Sequence, residues 1–171
     1  MKKCLLFVSL ILMGSGVRSQ PSIKVFGFEQ ENSPGTVAAN LKDENGNPIK
    51  KAATPKNYFV YLSLKREHNI IPQQIFIEGK AFSVATNTIE STPVLHVDNN
   101  IPGKPQQTIL VPKTSDRVIE LKIVDTIAVE KTSTLKKLTK KNDVVISYAW
   151  KKKKYFAVLK KLKKLEPVLK E

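Results

Sequence analysis

The chain has 171 residues and a formal net charge of +14 at pH 7, from 29 Lys and Arg against 15 Asp and Glu. Its one cysteine, Cys4, excludes an internal disulfide and a thiolate metal site. About 150 residues follow position 19, which is enough for one domain with a real core and too few for two.

The N-terminus has the pattern of a secretory signal peptide over residues 1–19. A basic start and a short apolar run are followed by the small-residue cleavage pattern VRS. The apolar run is too short to cross a bilayer, so we expect no transmembrane segment once the signal is removed. Cys4 precedes the apolar run, where it cannot become a lipidated N-terminus. The sequence therefore predicts an exported, unlipidated protein that begins near Gln20.

The first part of the mature chain contains a strand and a turn. Residues 22–29 alternate apolar with smaller or polar side chains, which predicts the first strand. Asp43, Asn45 and Asn47 stand at alternate positions, as in a calcium loop, but Pro48 occupies the position where that loop requires glycine. A hairpin turn at Asn45-Gly46 explains the same residues, so no metal site is predicted.

The strongest β signal lies in residues 57–86, where aromatic and β-branched residues alternate with polar ones. Three strands are predicted in this stretch. Its second and third strands flank Gly79-Lys80, where glycine can adopt the positive φ of a tight turn.

Further strands are predicted at residues 93–97, 107–111 and 117–124, with the last two forming a hairpin. The last of them alternates regularly, as expected of a strand in an antiparallel sheet with one solvated face. Residues 134–141 are predicted to be a lysine-rich connection, because the Ser and Thr residues around them are poor in helix interiors.

The C-terminal region allows two interpretations. Residues 143–150 form a strand by composition, and residues 151–154 would be the loop of a hairpin that continues to residue 161. Alternatively, the apolar residues after 154 recur at helical spacing opposite a lysine face. We favour the hairpin, because Pro167 interrupts the helical pattern and the rest of the chain is β.

These strands add up to an all-β fold of eight or nine short strands. Regular spacing with Gly, Pro and Asn turns favours an antiparallel immunoglobulin-like β-sandwich. The sequence thus predicts a signal peptide at 1–19, a single sandwich domain at 20–161 and a basic tail at 162–171.

Three segments carry a resemblance to a group of proteins: FVYLSLK, IFIEGKAFSV and VVISYAWKKKKYFAVLKKLKKLEP. With the signal peptide, they resemble small exported, uncharacterised β-rich proteins of Gram-negative Bacteroidota. The resemblance implies a location in the periplasm or at the cell surface. It implies no activity and no site residue.

The chain offers little for catalysis. His68 lies among charged residues, and His96 lies two residues from Asp98, so the side chains of this pair would share one face of a strand. A hydrolase would need a nucleophile with a base and an orienting group, and only His96 and Asp98 come near this pattern. No cofactor site is predicted.

Positive charge is concentrated at the C-terminal end. Residues 131–171 carry 14 basic and 3 acidic side chains, whereas residues 21–130 carry 12 of each. An electrostatic partner is therefore expected to contact this end. The expected binding residues are eight lysines and two aromatics: Lys151, Lys152, Lys153, Lys154, Lys160, Lys161, Lys163, Lys164, Trp150 and Tyr155.

The functional expectation is an exported, non-enzymatic binding or structural module of the bacterial cell envelope. Its partner would be an anionic envelope surface or another envelope protein. Export, together with the dominance of lysine over arginine, argues against nucleic acid as the partner. The alternative is a small periplasmic hydrolase centred on His96 and Asp98.

Overall fold

The structure, a computed structural model, describes residues 20–34, 54–98 and 106–170. The expected signal peptide and the Asn45-Gly46 turn lie outside these ranges. The described elements are, in chain order, β1 (Ile23–Pro34), β2 (Lys56–Leu64), β3 (Ile71–Ile77), β4 (Lys80–Ile89), β5 (Val94–Asp98), β6 (Gln106–Val111), β7 (Arg117–Thr126), α1 (Ser133–Lys141), β8 (Val144–Trp150), β9 (Lys153–Leu159), β10 (Lys163–Lys164) and β11 (Val168–Lys170).

Most strands belong to one main sheet with the order β10-β1-β2-β7-β4-β3-β8-β9, and β11 also pairs with β1. The prediction of a β fold is confirmed. The prediction of a purely antiparallel sheet is wrong, because β10 and β11 both run parallel to β1. The main sheet is also continuous, whereas an immunoglobulin-like sandwich has two separate sheets.

The main sheet is curled, and its inner face encloses the largest core. Side chains alternate along each strand, so every second residue of β2, β3, β7 and β8 points inward. Ile77 and Leu121 are both 1% exposed. A Cβ on Gly27 of β1 would lie only 2.6 Å from a methyl carbon of Leu159 in β9, so these two strands approach closely. The buried members are Val60, Leu62, Leu64, Ile70, Ile75, Ile77, Ile119, Leu121, Val144, Ile146, Tyr148, Trp150, Ala157 and Leu162.

Two smaller elements cover the outer face of the curled sheet. The β5–β6 hairpin places Leu110 and Val111 against Phe28, Tyr61 and Val118, which lie on β1, β2 and β7. The predicted hairpin between residues 107–111 and 117–124 is therefore wrong: β6 pairs with β5, whereas β7 pairs with β2 and β4. Outward apolar residues on the main sheet explain why the small hairpin packs there.

The prediction of an irregular connection at residues 134–141 is wrong, because these residues belong to helix α1. Thr132 is its N-cap, and its side-chain oxygen accepts a hydrogen bond from Leu135 N at 3.3 Å. A Thr residue that is poor inside a helix is favourable at this position. Leu135 and Leu138, three residues apart, pack against the sheet beside Phe76 and Val145. No helix in the described ranges is long and apolar enough to cross a membrane.

Both tight hairpins of the main sheet differ slightly from their predicted turns. The β3–β4 turn is Glu78-Gly79 rather than Gly79-Lys80, because Ile77 pairs with Lys80. The β8–β9 hairpin is confirmed, but its loop has two residues, Lys151-Lys152, instead of four. With a loop of residues 151–154, Trp150 would lie opposite Tyr155; with the two-residue loop, Tyr148 lies there instead.

The segment assigned to a basic tail, 162–171, packs on the domain over its described length. Leu162 is buried in the main core, with 6% of its surface exposed, and its backbone N–H donates to Asp143 Oδ2 at 3.0 Å. Leu165 N donates to the carbonyl oxygen of Glu29 at 2.8 Å. The chain leaves β9 beside β1 and continues in the same direction, which explains the parallel pairs.

The burial of Leu162 gives a test of where the domain ends. We expect Leu162→Ala to lower the free energy of unfolding by about 2 to 5 kcal/mol, because the change leaves a cavity in the core. Lys161→Ala, at the exposed neighbouring position, is the control and should change stability by about 0.5 kcal/mol or less. Urea denaturation measures both. Equal, small effects would place residue 162 outside the folded domain.

The raised pKa of Tyr61 is expected to make the stability of the protein depend on pH in the alkaline range. Burial and, secondarily, the charge of Glu120 raise the pKa of the Tyr61 hydroxyl to about 12. The unfolded chain releases this proton near pH 10, so stability is retained below pH 10 and falls as the pH rises towards 12. Urea unfolding at about pH 9 and about pH 11 should show this loss, and Tyr61→Phe should reduce it. An unchanged loss in Tyr61→Phe would contradict the assignment.

Candidate functional site

The eight predicted binding lysines do not form one patch. Lys151, Lys152, Lys153 and Lys154, here called the tip cluster, lie at the β8–β9 turn. Lys160, Lys161, Lys163 and Lys164, here called the lower group, follow the other end of β9. All eight are exposed. The strand between the groups has six residue steps, so they are separated by about 20 Å along β9.

The two predicted aromatic residues lie on the inner face of the sheet. Trp150 is 7% exposed, and its ring centroid lies 5.8 Å from that of Tyr155. Tyr155 also stacks on Tyr148, with 5.9 Å between the ring centroids. Both residues therefore anchor the hairpin to the core rather than presenting a flat ring to solvent. Lys151 Nζ lies 4.5 Å from the Trp150 ring centroid, which fixes the base of the turn.

Acidic residues lie among the lysines at the lower end. Lys164 Nζ lies 4.0 Å from carboxylate oxygens of Glu29 and Glu31. Lys56 Nζ bridges Glu78, at 2.7 Å, and Glu29, at 3.0 Å. These hydrogen bonds, first to Glu78 and then to Glu29, raise the pKa of Lys56 above its ordinary value. The carboxylates reduce the positive potential at this end.

The tip cluster has no such compensation. None of its four lysines forms an ion pair with any residue that the structure describes. Two of the ammonium groups lie over aromatic rings: Lys151 Nζ over Trp150 and Lys154 Nζ over Phe156, at 5.9 Å from the ring centroid. The turn therefore presents four exposed positive charges without a described carboxylate within ion-pair distance.

The backbone of the turn is also unfavourable for lysine. Lys151 has φ 48° and Lys152 has φ 63°, both in the left-handed region. A type I′ turn requires positive φ at both central residues and is usually Asn-Gly. A residue with a Cβ costs about 1 to 2 kcal/mol in this conformation. The chain thus carries two lysines where other residues would fold better, which marks the turn as the candidate functional site.

Arg66 and Arg117, which the sequence did not single out as binding residues, lie at the same end of the sheet as the tip cluster. Arg117 pairs with Leu64 across β2 and β7, and its Nη2 donates to the carbonyl oxygen of His68 at 2.7 Å. The His68 ring lies 6.0 Å from the ring of Trp150, at the base of the tip cluster. Arg66 and Arg117 are 51 positions apart in the sequence, and the sheet register brings them to one end.

His96 holds elements of the fold together. Its Nε2 lies 3.2 Å from Gln30 Nε2, which also donates to the carbonyl oxygen of Glu166 at 2.9 Å. Its ring lies 5.2 Å from that of Phe59. These contacts connect β5 with β1, β2 and the C-terminal segment. The predicted pairing with Asp98 involves a side chain outside the described ones.

No three His, Cys, Asp or Glu side chains in residues 20–34, 54–98 and 106–170 group closely enough to hold a metal ion. The chemistry available at the tip cluster is therefore that of ammonium groups, which bind oxyanions as mobile point charges.

The strained turn gives a prediction about stability. We expect Lys151→Asn/Lys152→Gly to raise the free energy of unfolding by about 1 to 2 kcal/mol, because it relieves two positive-φ positions. Lys151→Gln/Lys152→Gln removes the same charges but keeps the Cβ atoms, and serves as the control. Urea denaturation should show the larger gain in the first variant. Equal gains in both would assign the effect to charge repulsion instead of the backbone.

No protein-family model, curated protein or solved structure matches this chain. Neither an activity nor a ligand is therefore carried over from another protein. The case for a function rests on the exposure, backbone and charge of the tip cluster.

Proposed function

We propose that the protein is an exported, non-enzymatic module of a bacterial cell envelope that binds an anionic surface through the tip cluster. One observation carries the proposal: four exposed lysines at the β8–β9 turn have no ion-pair partner among the described residues, and the backbone of the turn disfavours two of them. Folding alone gives no reason for this choice. An anion held outside the turn would offset both the mutual repulsion of these lysines and the strain.

The strength of such binding follows from simple electrostatics. A lysine close to an anionic membrane surface contributes about 1 kcal/mol, and this attraction decays over about 8 to 10 Å at physiological salt. Four lysines on one turn act within that distance of a single surface. Packing of Trp150 against Tyr155 anchors the base of the hairpin to the core, so the backbone that carries the lysines is already folded before binding. The contact would be weak, reversible and sensitive to salt.

Location and architecture are parts of the same proposal. The signal-peptide pattern at residues 1–19 supports export to the periplasm or cell surface of a Gram-negative bacterium. Lipid headgroups and acidic glycans are the abundant polyanions there, and another envelope protein with an acidic surface is a further partner of the same chemistry. The architecture resembles a sandwich in one respect: β2 and β7 contribute to the same core as β3 and β8.

The hydrolase alternative has less support. Catalysis by His96 would require a free imidazole nitrogen directed at a substrate. Of its two ring nitrogens, Nε2 lies 3.2 Å from the Gln30 amide, in a contact that joins β5 with β1. The ammonium groups of the tip cluster, by contrast, are exposed and make no hydrogen bond or ion pair within the described residues.

Vesicle binding tests the proposal with two matched variants. The tip variant changes Lys151, Lys152, Lys153 and Lys154 to Gln. The lower variant, a charge-matched control, changes four other exposed lysines to Gln: Lys140 and Lys141 at the end of α1, and Lys160 and Lys161 of the lower group. Each variant therefore loses four positive charges. Wild type and lower variant should sediment with anionic phospholipid vesicles at low salt, and the tip variant should lose most of its binding. Binding of the same proteins to resin-bound acidic polysaccharide, measured in parallel, shows whether the anionic partner is a glycan or a lipid surface.

The outcomes separate the tip cluster from net charge. Binding that decreases steeply with added salt and depends on the tip cluster supports the proposal. Equal losses in both variants would show that total charge, and not this turn, causes binding. Equal binding to neutral and anionic vesicles, with none to the polysaccharide, would overturn it. Removing the C-terminal residues is a poorer test, because it would delete β9 and Leu162 from the core.

A further inference from the structure

A separate cleft lies at the same end of the sheet as the tip cluster. Its volume is about 510 Å³, and it is formed by the ends of β2 and β4 and the loop between β6 and β7. Ligand clefts in proteins usually have volumes of about 300 to 1,000 Å³. The cleft therefore has room for a small molecule of one or two sugar rings.

Three cations line this cleft: Arg66, Lys113 and Arg117. Arg66 Nε donates to the carbonyl oxygen of Ser115 at 3.1 Å, and Arg117 Nη2 donates to that of His68 at 2.7 Å. These bonds fix the two guanidinium groups, and each guanidinium has five N–H donors. Arg117 Nε is buried and has no hydrogen-bond partner within the described residues.

The two acidic residues of the cleft do not neutralise these cations. No ion pair joins Glu90 or Asp116 to an Arg or Lys in the part of the chain that the structure describes. Asp116 Oδ2 instead accepts a hydrogen bond from Ser63 Oγ at 3.1 Å. Glu90 is exposed at the rim. The positive groups thus remain available for an oxyanion supplied by a ligand.

Hydroxyl groups supply the other polar contacts. Thr88 and Ser91 line the cleft and are exposed. Thr92 Oγ1 donates to Thr114 O at 3.1 Å and accepts from Thr114 N at 3.0 Å, so two lining loops are tied together. A cleft with guanidinium donors and exposed hydroxyls suits an oxyanion carried on a polyhydroxylated molecule.

We propose that this cleft binds a small saccharide bearing a carboxylate or a phosphate, with Arg66 and Arg117 contacting the oxyanion. This site goes beyond the surface binding assigned to the tip cluster and does not depend on it. The planar guanidinium can bind either oxyanion through two parallel hydrogen bonds, which an ammonium cannot do. Lys113 adds a mobile charge beside them.

Calorimetric titration tests the site with four probes: a uronic-acid disaccharide, a sugar phosphate, inorganic phosphate and a neutral disaccharide. We expect one of the two acidic sugars to bind more tightly than both inorganic phosphate and the neutral sugar. Arg66→Gln should weaken that binding at least about tenfold, because a charge-assisted hydrogen bond is lost. Arg66→Lys keeps the positive charge but lacks the two parallel N–H donors of the guanidinium, so this variant should also bind the acidic sugar more weakly than the wild type. Arg117 is left unchanged because it also holds His68.

Two single changes complete the design. Glu90→Gln removes from the rim a negative charge that would repel the oxyanion, and should tighten binding about two- to fivefold. Lys65→Gln removes a neighbouring charge outside the cleft and should leave binding unchanged. Equal weakening by Lys65→Gln and Arg66→Gln, or no preference for either acidic sugar, would overturn the proposal. The tip variant should retain this binding, so failure here is distinct from failure of the vesicle experiment.

Discussion

The close approach of β1 to β9 at Gly27 closes the curled sheet, and the other features of the molecule depend on this closure. A Cβ at Gly27 would lie 2.6 Å from a methyl carbon of Leu159 and 3.0 Å from one of Leu162, so any larger residue here would force these leucines to shift, whereas glycine fits without a shift. Closure turns the inner faces of β2, β3, β7 and β8 towards one another and buries them in one core. It also places the end of β9 beside β1, where the chain continues in parallel as β10 and β11.

The same closure determines where charge is exposed. Lys164 lies beside Glu29 and Glu31 of β1, and Lys56 lies between Glu29 and Glu78, so opposite charges neighbour each other at the lower end. The β8–β9 turn projects from the other end, with its base held by Trp150. No described acid lies within ion-pair distance of the tip lysines. A chain with uneven charge in sequence thereby acquires uneven charge in space.

Alternation was enough to predict most strands, because a buried face imposes a period of two on the sequence. It could not predict which strands pair: residues 107–111 and 117–124 are neighbours in sequence, yet β6 folds outward onto β5. The helix at Ser133–Lys141 was missed because propensity ignored the cap at Thr132 and the burial of Leu135.

The candidate site was only partly predictable, because composition shows the lysines but not their arrangement in space. The lysine run at 151–154 is visible in sequence, whereas its separation from residues 160–164 depends on residues 153–159 forming strand β9 and not a helix. Positive φ at Lys151 and Lys152 has no signal in composition, since Asn-Gly is the usual mark of such a turn. The arginine cleft depends on contacts across β2 and β7, which only the register reveals.

We propose that the tip cluster is the part of the molecule that meets an anionic surface. Paramagnetic relaxation measured by NMR, with spin-labelled anionic phospholipid in nanodiscs, locates that contact along the backbone. We expect the strongest broadening at residues 151–154, with a steady decrease along β9 towards Leu159. Broadening that is strongest at residues 160–164, or uniform over the hairpin, would contradict it.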